Sequence, residues 1–127
     1  MIEHFIYQLL TNDAGVSALV GTKVYPTLLP QNPVFPCVGY AVEPTAENIT
    51  FDGQGTNQAA NIEIDCWAAL HADALALGEA VNAAIKNYSG TLAGVQVDAI
   101  YIDSALTFFE DAAEKYRYSI SATLHKR

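Results

Sequence analysis

Between Asn61 and Tyr88 the apolar period of the chain changes from two residues to about 3.6. Asn61-Ile62-Glu63-Ile64-Asp65-Cys66-Trp67-Ala68 alternates strictly. Ile62, Ile64 and Cys66 therefore point one way, and Glu63, Asp65 and Trp67 the other. A few residues on, Leu70, Ala74, Leu77, Val81, Ile85 and Tyr88 fall on one side of a helical wheel. Ala72, Ala76, Ala80 and Ala83 raise helix propensity and leave room for close packing. A half-buried strand that runs directly into an amphipathic helix predicts a helix folded back on its own sheet. Ser89-Gly90 is placed to stop that helix.

Ile2, Phe5, Ile6, Leu9 and Leu10 form a second helical stripe at the start of the chain. Asn12 or Asp13 can cap a short following helix, with Val16, Leu19 and Val20 as its buried side and Gly21 as its end. Tyr25–Pro36 carries Pro26, Pro30, Pro33 and Pro36, which disfavour helix, so it reads as an extended segment with an edge strand near Val24–Leu28. Val34 and Phe35 read as core residues. Cys37–Glu43 alternates as a strand, and so does Ala59–Ala69. Val95–Asp103 is a further strand, and Leu106–Glu110 is either another or its bent continuation. In the last strand, Tyr116–Leu124, one face is apolar and the other holds Arg117, Ser119, Ser121 and Thr123, as in an antiparallel strand with a wet side. The sum is an α+β domain: a small, mostly antiparallel sheet flanked by an N-terminal helix and one long Ala-rich helix. At 127 residues it reads as one domain over residues 1–127.

Pro44–Gln58 lies between two of these strands. It is polar, contains Gly53 and Gly55, and is long for a hairpin connection, which usually takes about two to five residues. Long connections of this kind are commonly functional, so Asn48, Phe51, Asp52, Gly53, Gln54 and Gly55 are the candidate partner contacts.

Charge narrows the function classes. The formal net charge is −8 with only six Lys and Arg, four of them (Lys115, Arg117, Lys126, Arg127) near the end of the chain. Duplex nucleic acid is a poor ligand for such a chain, because binding rests on cations at phosphates. Only 16% of residues are charged while 51% are hydrophobic. That balance excludes disorder and suits a surface partly covered by neighbours. Ile2–Leu10 contains Glu3 and His4 and does not read as a secretory signal, and no apolar run approaches the ~20 residues of a membrane span.

Catalytic equipment is hard to find. Gly53-Gln54-Gly55-Thr56-Asn57-Gln58 begins like a dinucleotide fingerprint but lacks the third glycine and the strand-to-helix turn. His4, His71 and His125 have no partner at metal-ligand spacing. Cys37 and Cys66 sit in apolar strand runs and read as reduced core thiols. Cys66, His71 and Asp73 are the nearest approach to a triad, yet Cys66 points inward with Ile62 and Ile64. Glu63 and Asp65, roughly 7 Å apart on one strand face from the strand rise, read as a solvated or subunit-facing polar pair rather than an acid/base pair.

Several segments together resemble a known family. They are the amphipathic Met1-Ile2-Glu3…Ile6…Leu9-Leu10 start, Val16…Leu19-Val20-Gly21-Thr22-Lys23-Val24-Tyr25-Pro26, Ile62–Ala68, Glu79-Ala80-Val81-Asn82-Ala83-Ala84-Ile85 and Tyr116-Arg117-Tyr118-Ser119. The chain resembles the tail completion, or tail terminator, proteins of long non-contractile-tailed bacteriophages and their prophages. The resemblance implies a structural virion protein at the head-proximal end of the tail, made in the bacterial cytoplasm. It implies a homo-hexameric ring that caps the tail tube, ends its polymerisation and meets the head–tail connector protein, without enzymatic activity or cofactor. DNA would pass through such a ring without specific binding, with Glu43, Glu47, Asp52, Glu63 and Asp65 as candidate lumen-facing acids. Two other readings stay open on the residues alone: another head–tail connector component, and an unrelated small-ligand-binding α+β domain.

Overall fold

The computed structural model describes residues 2–26, 33–44, 49–50, 53–54, 58–86, 88–111 and 114–126. Two helices open the chain, α1 (Ile2–Asn12) and α2 (Ala14–Val20), followed by β1 (Val24–Pro26), β2 (Cys37–Pro44), β3 (Ile49–Thr50), β4 (Gly53–Gln54) and β5 (Gln58–Ala68). Then come α3 (His71–Ile85), β6 (Gly90–Leu92), β7 (Val95–Glu110) and β8 (Lys115–Lys126). Six strands form one sheet in the order β1-β2-β5-β8-β7-β6, and β3 and β4 pair only with each other. The large sheet is mixed: β1 runs parallel to β2 and every other pair is antiparallel.

The expected alternation sets the faces. Ile62, Ile64 and Cys66 of β5 and Ile120, Ala122 and Leu124 of β8 are buried with Phe5, Ile6 and Leu10 of α1 and Leu77, Val81 and Ile85 of α3 in one core. Helix α3 packs on β5, β8 and β7, and α1 on β1, β2 and β6. Close approach of α3 to β8 depends on Gly78, where a Cβ would overlap the Tyr118 ring. Asp13, rather than Asn12, caps α2, its Oδ2 accepting from the Val16 N–H at 3.0 Å. Gly21 ends α2 with φ of 61°.

Four details depart from the sequence reading, and one open alternative is settled. Leu19 is exposed rather than buried. Leu70 is 63% exposed, because it precedes α3 in an extended conformation and is not part of the helical stripe. Val34 is exposed, while Phe35 lies against Trp67 with ring centroids 6.5 Å apart. Helix α3 ends at Ile85, before Ser89-Gly90; Tyr88 lies beyond it and packs edge-on against Phe5, centroids 5.5 Å apart. Leu106–Glu110 is continuous with Val95–Asp103 as the single strand β7, whose pairing with β8 shifts between Val97 and Ala99 and again between Ile102 and Ser104. The β6–β7 turn places Ala93 and Gly94 at positive φ, 53° and 77°, the handedness that suits a tight hairpin. No described helix is long and apolar enough to cross a membrane.

Candidate functional site

The second face of the sheet has no helix over it among the described residues. Its rows are Ala41 and Glu43 on β2, Asn61, Glu63, Asp65 and Trp67 on β5, and Arg117, Ser119 and Ser121 on β8. On β7 the same face carries Ser104, Leu106, Phe108 and Glu110. The two ends of this open face differ in chemistry.

Arg117 anchors one end. Its Nη1 donates to Asp65 Oδ1 at 3.2 Å across the β5–β8 ladder. On the β7 side its Nε donates to Glu110 Oε1 at 2.9 Å, and its Nη2 lies 2.7 Å from the same oxygen. The guanidinium also lies over the Phe108 ring, 4.9 Å from the centroid, and over Trp67 at 5.7 Å. Lys115 stands 5.2 Å from the Phe35 centroid. Partial burial works to lower the Arg117 pKa, but the bonds and charges of Glu110 and Asp65 outweigh it and raise the pKa, so the cation is fixed. One fork thus ties β5, β8 and β7 together and packs against two aromatic rings of the same face. Around the rim, Tyr116 meets Phe109 with centroids 5.0 Å apart and His71 at 5.4 Å.

Glu43 and Glu63 define the other end. Ala41 pairs with Glu63 and Glu43 with Asn61, so the two carboxylates are diagonal neighbours across the β2–β5 ladder. Both are exposed. Together with Asn61 and Ser121 they line a depression of about 300 Å³.

These placements sort the residues named from sequence. Glu43, Glu63 and Asp65 share the open face, but Asp65 is engaged by Arg117 and does not present a bare charge. Glu47 and Asp52, also named as lumen acids, lie outside the described residues, as do Asn48, Phe51 and Gly55 of the candidate contact loop. Gly53 and Gln54 form β4, paired with Thr50 and Ile49 of β3. The Arg117 cluster was not read from the sequence. Only its placement on the wet side of the last strand was legible; that Trp67 and Phe108 flank it depends on the register of three strands.

Both thiols are buried and free. Burial pushes the Cys37 thiol up to about 11 despite the nearby Lys23 charge. Burial, with Asp65 and Cys37 nearby, pushes Cys66 up as well. Neither supplies a thiolate nucleophile near neutral pH. Among the described residues no group of three or more His, Cys, Asp and Glu side chains is arranged to hold a metal ion.

A family model described as "Tail completion protein gp17" matches residues 5–122. No curated protein matches. Among solved structures, the chain is similar to a chain in "Virion of native gene transfer agent (GTA) particle", with a TM-score of 0.67 and 24% identity over 95% of this chain and 90% of that one. At that identity the likeness is one of fold.

Proposed function

This chain belongs to the tail completion protein gp17 family, and from that premise we propose that it caps the tail tube of a phage-type virion. In this reading it ends tube polymerisation and presents the surface that meets the head connector. It does so as a homo-hexameric ring and works by shape, without catalysis or cofactor. The observation that carries the proposal is the family match across residues 5–122. The open sheet face supports it. A face that combines exposed Leu106 and Phe108 with an ordered Arg117 fork suits coverage by a neighbour more than permanent contact with water.

Glu43 and Glu63 would line the channel. On a chain of net charge −8 they add a repulsive wall, which lets a polyanion slide without sticking. Asp65 would contribute less, since Arg117 neutralises it. The experiment is direct. Purified protein is added to polymerising tail tubes, tube lengths are measured by microscopy, and its mass in solution is followed with and without tubes. Capping predicts that elongation stops and that six copies collect per tube end. Tubes that continue to grow at an unchanged rate would remove the proposal.

A further inference from the structure

The outer edge of β7 is only partly occupied. Strand β6 pairs with Val95, Gln96 and Val97 and goes no further. From Ser104 to Glu110, β7 pairs with β8 on one side, and no described strand lies on the other. A bulge sets what this stretch displays. Ile100 and Ile102 point inward, opposite Leu124 and Ala122. Asp103 then has no β8 partner, and the alternation changes phase. Without that extra residue, Leu106 and Phe108 would continue the inward series. With it they face outward, 58% and 41% exposed. Sheet edges are normally guarded by proline, by lysine or by bulges. Both register shifts of β7 fall before Ser104, and residues 104–110 include neither proline nor lysine. Such an edge is a template for an added strand, held by main-chain hydrogen bonds and selected by the side chains it sets beside Leu106 and Phe108.

Charge says which strand. The six residues 104–109 are uncharged, but acids stand at both ends, Asp103 before them and Glu110 and Asp111 after them. Glu110 is taken up by Arg117. Asp103 and Asp111 are exposed, and neither forms an ion pair among the described residues. Asp103 accepts from the neutral Thr123 hydroxyl at 2.7 Å, which leaves its charge uncompensated. The complement is a segment with an uncharged, alternating centre and a lysine or arginine at each end. A second copy of this chain does not offer one. Its Lys and Arg number six, and the sole run of more than one uncharged residue bounded by two of them is residues 118–125, between Arg117 and Lys126. That run lies in β8, already paired with β5 on one side and β7 on the other.

We propose that the outer edge of β7, residues 104–110, receives an extended segment of a different protein as an added strand. The segment alternates uncharged side chains at its centre and carries a cation at each end. The inference goes beyond the capping reading and does not need it, because the edge is complete in the single chain.

The test uses the full chain and short peptides blocked at both termini. One alternates threonine and valine between terminal lysines. A second replaces the lysines with glutamates. A third keeps the lysines and puts proline at a central position, which removes a main-chain donor. Amide hydrogen exchange is followed by NMR. The lysine-ended peptide is expected to slow exchange within residues 104–110 by about tenfold or more at saturation. It should bind at least about threefold more tightly than the glutamate-ended peptide at low salt, and the difference should shrink as salt is raised. Asp103→Asn with Asp111→Asn should erase that preference and keep the circular dichroism, since both side chains are exposed. Leu106→Lys places a guarding cation on the edge and should abolish binding of the lysine-ended peptide. Unchanged exchange at every peptide concentration, equal binding of the proline peptide, or a preference for glutamate ends would each overturn the proposal. Protection of residues 104–110 that rises with the concentration of the unaltered chain alone would overturn it too, because a second copy would then be the occupant. None of these outcomes bears on capping, which is read separately from tube length.

Discussion

Ile64 and Ile120 face each other on one side of the β5–β8 ladder, and one residue along, Asp65 and Ser119 face each other on the other side. The first pair is fully buried; the second is half-buried and belongs to the open face. The same two backbones thus carry two jobs, separated only by the parity of the strand. The closed side supplies the cohesion that holds the fold. The open side keeps charge, aromatic rings and an unfilled edge, none of which the single chain needs for its own core.

The sharpest way to break that division is to compare truncations across it. Ile64→Ala removes a fully buried side chain beneath α3 and is expected to destabilise by about 2–5 kcal/mol. Ser121→Ala, on the open side, should change stability by no more than about 0.5 kcal/mol. Urea midpoints for the two variants check this. Equal losses would mean that the open face is already covered within the single chain.

A smaller effect sharpens the same contrast at one position. Gly78 lets α3 lie against β8, and its absent Cβ leaves space for the Tyr118 ring. The atoms in the way include the ring carbon nearest the Tyr118 backbone, which rotation of the ring does not displace. Gly78→Ala therefore sets overpacking of about 1–3 kcal/mol against a helix-propensity gain of about 1 kcal/mol. The overpacking is expected to win, with a net loss of about 1 kcal/mol. In a Tyr118→Ala background the sign should reverse, because only the propensity gain remains. A double-mutant cycle by denaturant unfolding measures that coupling.

The closed side was legible in the sequence because strict periodicity survives there. Ile62, Ile64 and Cys66 announced their face, and the α1 stripe and the Asp13 cap lay where spacing put them. Strand β7 was harder to read. The register shift between Ile102 and Ser104 inserts Asp103 without a β8 partner, so the alternation changes phase and one strand looks like two. Strand β6 is only three residues long, and its Ala93-Gly94 turn lacks the Asn-Gly or Asp-Gly signal that marks such hairpins. The apolar letters of Leu106 and Phe108 carry no sign of their exposure, which follows from the shift at Asp103: beyond it both residues fall on the open face, opposite Ser119 and Arg117. The Arg117 fork was invisible for a related reason. Asp65 is 52 residues away in sequence, and only the three-strand register brings it to the guanidinium.

The smallest effect on stability is expected where the effect on function should be clearest. Glu43 and Glu63 are exposed, adjoin no described cation and belong to no core cluster. Reversing both, Glu43→Lys with Glu63→Lys, should move the unfolding free energy by no more than about 0.5 kcal/mol, as for other surface changes. The fold should persist, because both side chains are exposed and neither packs in the core. If this end of the open face borders the channel, two new cations there would attract passing phosphate, and DNA release from assembled particles should slow. Raising the salt concentration should then restore the rate, since screening weakens such contacts. Release at the unaltered rate in low salt would mean that the open face turns away from the DNA. Its acids would then serve only to add to the net negative charge that keeps copies of this chain apart in solution.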